Sequence, residues 1–216
     1  MSPYVDFHTH RNSQIEDVIS IYNLMLHEKG NVPTGAYSAG LHPWFADHYS
    51  PQEINLILEQ IAGDQNLIAL GETGLDKICS IPMQVQQEIF EIHLKKAVEY
   101  NKPVVLHCVK AWEELIEMTS GFPNAKILHG YNGTTELTKR LLNHNFLFSI
   151  GTAILNPKAK IQIAIRIIPI SSLFCETDTY EIPIHDIYAA IGRNISVKEE
   201  QLIEDVFANY SRLCCS

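Results

Sequence analysis

Positive charge is what this 216-residue chain has least of: 16 Lys and Arg stand against 25 Asp and Glu, a net charge of −9 at pH 7. That is the wrong sign for a protein that grips nucleic acid mainly through phosphate charge, so such a substrate would need another anchor, for example a metal. No window approaches the about 18 uninterrupted apolar residues that span a bilayer. The N-terminal MSPYVDFHTHR lacks the basic and apolar regions of a signal peptide, and a cytoplasmic location away from membranes is expected. The five cysteines, Cys79, Cys108, Cys175, Cys214 and Cys215, are odd in number and irregular in spacing, which excludes a secreted disulfide framework and a CxxC zinc pair. Free thiols are expected, Cys108 in the core and Cys214–Cys215 as an exposed tail. Repeats, low-complexity tracts and Pro/Gly/Ser-rich linkers are absent, so a single domain over 1–216 is expected, with no obligate protein partner in evidence.

What is present is an alternation of short apolar runs with amphipathic stretches. Strands are expected at Tyr4–His8, Val18–Met25, Gly35–Leu41, Leu67–Glu72, Val104–His107, Lys126–His129, Phe146–Ile150 and Leu173–Glu176. Helices are expected at Gln52–Ala62, Val85–Tyr100, Trp112–Thr119, Thr134–Asn143, Lys158–Ile167 and Val197–Tyr210. Near-continuous apolar strands alternating with helices argue for a parallel sheet covered by helices, an α/β fold of the TIM-type (β/α)8 barrel. The chain is short for that fold. Only the stretch 12–37 separates the first and third strand candidates, so outer helices near the N-terminus are expected to be missing and the barrel trimmed or distorted there.

The ionisable residues fall at strand ends. His8 and His10 close the first strand, Glu72 the fourth, His107 the fifth, His129 the sixth and Asp178 the eighth. Carboxyl ends of parallel strands converge on the catalytic face of such a fold, so these six side chains are expected to gather there. Imidazole and carboxylate donors without thiolate suit Zn²⁺, Mn²⁺, Ni²⁺ or Fe²⁺.

Taken in order, DFHTH (6–10), GLHPW (40–44), GETGLDK (71–77), PVVLHC (103–108), LHGYNG (128–133) and ETD (176–178) resemble the TatD family of metal-dependent deoxyribonucleases, within the amidohydrolase-like metallohydrolases. The resemblance covers nearly the whole chain. It implies a hydrolase with two divalent ions, of Zn, Mn, Mg or Ni. His8, His10 and Asp178 would bind one ion, His107 and His129 the other, and Glu72 would bridge them. Asp178 becomes the candidate to orient the attacking water or accept its proton. His42, in the family's GxHP element, is a candidate substrate-phosphate contact. Trp44 and Phe45 could stack on a base, and Asp76 could orient a ligand from behind or cap a turn. Arg11, Lys77 and Lys110 lie just beyond strand ends and could supply positive charge to a phosphate.

Three places depart from the family's pattern: Arg11 follows the HxH, Thr179 and Tyr180 follow ETD, and VKAW (109–112) follows the fifth strand's HC. All are expected where a substrate is selected. The leading expectation is phosphodiester hydrolysis at a nucleic-acid end or of a nucleotide. The alternatives are the same metal chemistry on a small lactone, amide or phosphoester, and a non-catalytic binding module.

Overall fold

The computed structural model describes residues 2–11, 15–28 and 32–214; Cys215 and the side chain of Cys214 lie outside what is described. The strands are β1 (Tyr4–Thr9), β2 (Val18–Met25), β3 (Tyr37–Gly40), β4 (Leu67–Asp76), β5 (Val104–Val109), β6 (Lys126–Leu128), β7 (Phe146–Ile150) and β8 (Leu173–Cys175). The helices are α1 (Pro51–Ile61), α2 (Met83–Glu99), α3 (Trp112–Met118), α4 (Thr135–Asn143), α5 (Ile161–Ala164), α6 (Ile184–Ile195) and α7 (Glu199–Cys214). Strand order follows chain order, the topology of a TIM-type α/β fold. Among the described residues no helix follows β1 or β2, as the shortness of 12–37 led one to expect. None of the helices is long and apolar enough to cross a membrane.

The chain forms two compact units, Met1–Tyr22 with Ile127–Ser216, and Asn23–Lys126. In the first, β1 pairs in parallel with β2 from Tyr4↔Val18 to Asp6↔Ser20, then shifts register before Thr9↔Tyr22. β7 pairs in parallel with β8, and an isolated parallel bridge joins Thr9 to Asp178. The bridge ties the turn after β8 to the end of β1. Phe7 and Phe174, both fully buried, lie 4.3 Å apart between ring centroids and anchor the core there.

In the second unit β4 pairs in parallel with both β3 and β5 and is buried along all ten of its residues, which is why LIALGETGLD reads as continuous rather than alternating. α2 covers this sheet with Gln86, Ile89, Phe90, His93, Leu94 and Ala97, a stripe at three- and four-residue spacing. Burying a side chain such as Phe90 contributes about 1.5–3 kcal/mol. α1 starts at a capping box, Ser50 with Glu53, with Pro51 in its first turn.

Two helical expectations need correcting. Lys158–Ile167 shortens to the single turn of α5 followed by a 3-10 turn, Ile165–Ile167. Four β-branched Ile in that stretch, with Pro157 and Pro169 at its borders, favour a broken run. Conversely, α6 forms where no element was expected, on a buried stripe of Ile184, Ile187, Tyr188 and Ile191.

Candidate metal-binding clusters

In the first unit β1 delivers His8, fully buried, and His10 follows the strand's last residue. Backbone bonds to β1 place Asp178. Its N–H donates to the His8 carbonyl (2.9 Å), its own carbonyl accepts from the His10 N–H (3.1 Å), and its φ is +54°. The carboxylate Oδ1 then stands 3.5 Å from His10 Nε2 and 3.9 Å from His8 Nε2. His129 follows β6, its ring centroid 4.5 Å from that of His8. One donor atom each from His8, His129 and Asp178 lies within 4.8 Å of the others. Fully buried Glu176 accepts from the Gly130 N–H at 2.5 Å, and its Oε1 stands 3.7 Å from His129 Nδ1. The ETD turn is held by Asp6, whose carboxylate accepts from the Thr177 amide (2.8 Å) and hydroxyl (2.6 Å). Burial pushes the Asp6 carboxyl up to about 6, outweighing those two bonds.

In the second unit the arrangement is tighter. Glu72 Oε1 lies 2.9 Å from His107 Nδ1 and 3.2 Å from His42 Nε2, and the two nitrogens are 3.2 Å apart. The GETG spacing permits this: a Cβ on Gly74 would stand 2.1 Å from the His107 carbonyl oxygen, so only glycine lets β4 close on β5 there. Side chains brace the triangle. Asn23 Oδ1 accepts from the Glu72 N–H (2.8 Å) and from the Ser38 hydroxyl (3.0 Å). Asp76 Oδ2 stands 3.5 Å behind His107 Nε2 and accepts from the Trp44 indole N–H at 2.7 Å. The other Asp76 oxygen accepts from the Ile78 N–H, and the Asp76 N–H donates to Gln86 Oε1. Asp76 thus both caps a turn and backs a histidine. Burial pushes its carboxyl up, but the Trp44 and Ile78 bonds and the neighbouring His107 outweigh it and leave it below the usual carboxylate range.

Donors around a tetrahedral ion bound at about 2.0–2.1 Å from each stand about 3.3 Å apart. The His42–Glu72–His107 triangle matches that spacing, and the His8–His129–Asp178 group is looser; both offer only nitrogen and oxygen donors. Both sets therefore fit a divalent ion. Within its unit each of the six ligand candidates takes part in one of these groupings, His10 through its contact with Asp178. His42, expected only as a substrate contact, also has the geometry of a ligand.

The cationic candidates differ. Arg11 is tied back, its Nη1 donating to the Tyr180 carbonyl at 3.3 Å, and Lys77 pairs with Glu114 at 2.6 Å. Lys110 is exposed, at φ +55°, beyond the end of β5. Trp44 keeps 55% of its surface exposed while bonded to Asp76, whereas Phe45 stacks on His27 at 3.5 Å. Cys108 joins neither cluster, and burial pushes its thiol up to about 12.

Sequence reasoning passed over three supporting residues. Glu176 was visible as the first letter of ETD. Asn23 was visible as an amide inside an otherwise apolar strand. His93 lies wholly buried on α2, its Nε2 accepting from the Leu41 N–H (3.1 Å) just before His42, and only its place on the apolar stripe hinted at this.

The topology and the clusters together describe a TIM-type α/β protein with histidine–carboxylate sites. A profile of the TatD-related DNase family matches residues 5–212, and the chain belongs to that family. A human protein named 3'-5' RNA nuclease TATDN2 is 36% identical over an alignment 159 positions long that covers 69% of this chain and 20% of that protein. A metal-dependent hydrolase of Buchnera aphidicola, BU355, is 30% identical over an alignment 178 positions long that covers 75% of this chain and 65% of that one. The chain thus spans less than two thirds of either relative. Among solved structures, the TatD homologue YjjV of Escherichia coli superposes with a TM-score of 0.82 at 20% identity, covering 99% of this chain and 98% of that chain.

Proposed function

We propose that this protein is a divalent-metal-dependent hydrolase that cleaves phosphodiester bonds at nucleic-acid ends. The observation that carries the reading is the pair of thiolate-free histidine–carboxylate clusters, both carried on or just beyond the strands of a TatD-family chain. The names of its relatives, metal-dependent hydrolases and a 3'-5' RNA nuclease, support the reaction class. The family resemblance assigns His8, His10 and Asp178 to one ion, His107 and His129 to the other and Glu72 to both, and that assignment is part of the proposal. Bound divalent ions would supply a water of lowered pKa and neutralise charge on a phosphoryl oxygen.

The chain's own residues then divide the work. Asp178, 27% exposed at its side chain, faces solvent enough to orient a water or take its proton while His10 fixes its other side. His42 and Lys110 offer donors to the substrate phosphate, and Arg11 steadies the Tyr180 segment while lending its charge. Asp76 keeps the His107 ring in place from behind.

Digestion of an oligonucleotide labelled at either end, with Mg²⁺, Mn²⁺ or Zn²⁺, tests this. A metal-dependent ladder that disappears in Glu72→Ala is the expected result. An intact oligonucleotide in the presence of wild-type protein shown to hold metal would overturn the nuclease reading and direct the search to small esters, lactones and amides.

A further inference from the structure

Scarce as it is, positive charge is unevenly spread. Residues 137–175 and 187–198 contain no Asp or Glu, yet hold Lys158, Lys160, Arg166, Arg193 and Lys198 among their residues. Within the first unit the fold packs these stretches together, the 3-10 turns Thr152–Leu155 and Ile165–Ile167 lying against α6. Two hollows of about 380 and 360 Å³ share Arg166, Arg193 and Asn194 in their lining, the larger also taking in Ile154, Leu155 and Gln162.

The arginines are set for an anion. Arg166 Nε donates to Asn194 Oδ1 at 3.4 Å, Asn194 Nδ2 donates to Gln162 Oε1, and Gln162 donates to the Ile154 carbonyl. This rail orients the guanidinium through its inner nitrogen and leaves the two outer amines, the fork that matches a phosphate. Among the described residues no carboxylate pairs with Arg166 or Arg193. The backbone that leads into the groove passes beside the unit's metal candidates. Gly151, just before the first 3-10 turn, abuts Glu176, where a Cβ would stand 3.3 Å from Cγ, and Glu176 Oε1 is 3.7 Å from His129 Nδ1.

We propose that this groove binds the sugar–phosphate backbone of a single-stranded nucleic acid whose end lies at the metal ligands. The inference rests on the nuclease reading above and deepens it: the site takes a strand, not only an isolated nucleotide. Phosphate contacts of this kind position a strand without reading its sequence, and Leu155, 43% exposed, adds an apolar edge for a sugar or base. An acidic protein segment satisfies the charge equally. The approach of that backbone to Glu176, which stands beside His129, favours the strand.

The test is fluorescence anisotropy of a labelled single-stranded oligonucleotide with the full chain in EDTA, so that cleavage plays no part. The Arg166→Gln/Arg193→Gln variant should bind at least about tenfold more weakly at low salt, and its slope of log affinity against log salt should fall by about 1.4, two phosphates at about 0.7 each. Its metal-dependent turnover of a bis-nitrophenyl phosphate diester should match wild type, which also shows that it is folded. Unchanged affinity and slope would overturn the proposal, as would equal loss of binding to an acidic peptide that outcompetes the oligonucleotide. Failure of the wild type to hydrolyse the small diester or any oligonucleotide would instead strike the nuclease reading and leave the binding result standing on its own.

Discussion

The two clusters are built by different means. In the second unit Glu72, His42 and His107 are braced by side chains from four other places, Asn23, Trp44, Asp76 and Gln86, and close to 2.9–3.2 Å. In the first unit Asp178 is held by backbone pairing with the end of β1, and its carboxylate stands 3.5–3.9 Å from the histidines. The braced cluster is preorganised before a ligand arrives. The other keeps a partly exposed carboxylate, which suits a group that handles a proton.

The sharpest contrast comes from removing one ligand candidate from each cluster. Glu72→Ala and Asp178→Asn should each lower hydrolysis by more than about a hundredfold, beyond the 10–100-fold typical of residues that only support ligands. Glu72→Ala should also lower bound metal, read by elemental analysis. Next in size, Asp76→Asn should weaken metal binding by about 10–100-fold while leaving the fold intact, as measured by calorimetric metal titration and thermal melting. An affinity equal to wild type would show that the brace behind His107 does nothing.

A third prediction concerns the core under the braced cluster. Burial lowers the His93 pKa to about 4 from 6.5, so the folded state prefers the neutral ring and the unfolded state binds the extra proton between those values. The contribution is therefore full above pH 6.5 and is lost as pH falls toward 4, on the order of 3 kcal/mol in all. Denaturant melts of wild type and His93→Gln across pH 4–7 should differ in slope over that window; parallel curves would contradict the assignment. Smallest, Thr177→Val removes the hydroxyl bond to Asp6 in the first unit and should cost about 1–3 kcal/mol of stability. A loss confined to stability, with metal affinity kept, is what a backbone-set Asp178 requires.

The ligand candidates were legible because each ends or follows a short apolar run, in DFHTH, GETG, VVLHC and ILHG; the strand ends expected at Glu72 and His107 were not, since β4 runs on to Asp76 and β5 to Val109. The strands were legible for the same reason, β2 and β7 to the residue. Other features depend on distance in the chain. Nothing local says that Trp44 will donate to Asp76, the Glu72 N–H to Asn23, or Thr177 to Asp6, since these meet only once strands are paired. The basic groove was hidden likewise, its arginines 27 residues apart on Arg166 and Arg193 with nothing between to mark them as partners. α6 was overlooked although its stripe is regular, because Gly192 and repeated Ile weaken the helical signal.

The proposed role of two divalent ions in hydrolysis can be checked in one experiment. Elemental analysis of purified wild type, paired with oligonucleotide digestion before and after chelation, tests it most directly. About two ions per chain are expected, with activity lost on chelation and restored by divalent metal, and neither full occupancy nor activity in Glu72→Ala. Full activity in metal-free protein, or a Glu72→Ala variant that cleaves like wild type, would contradict it.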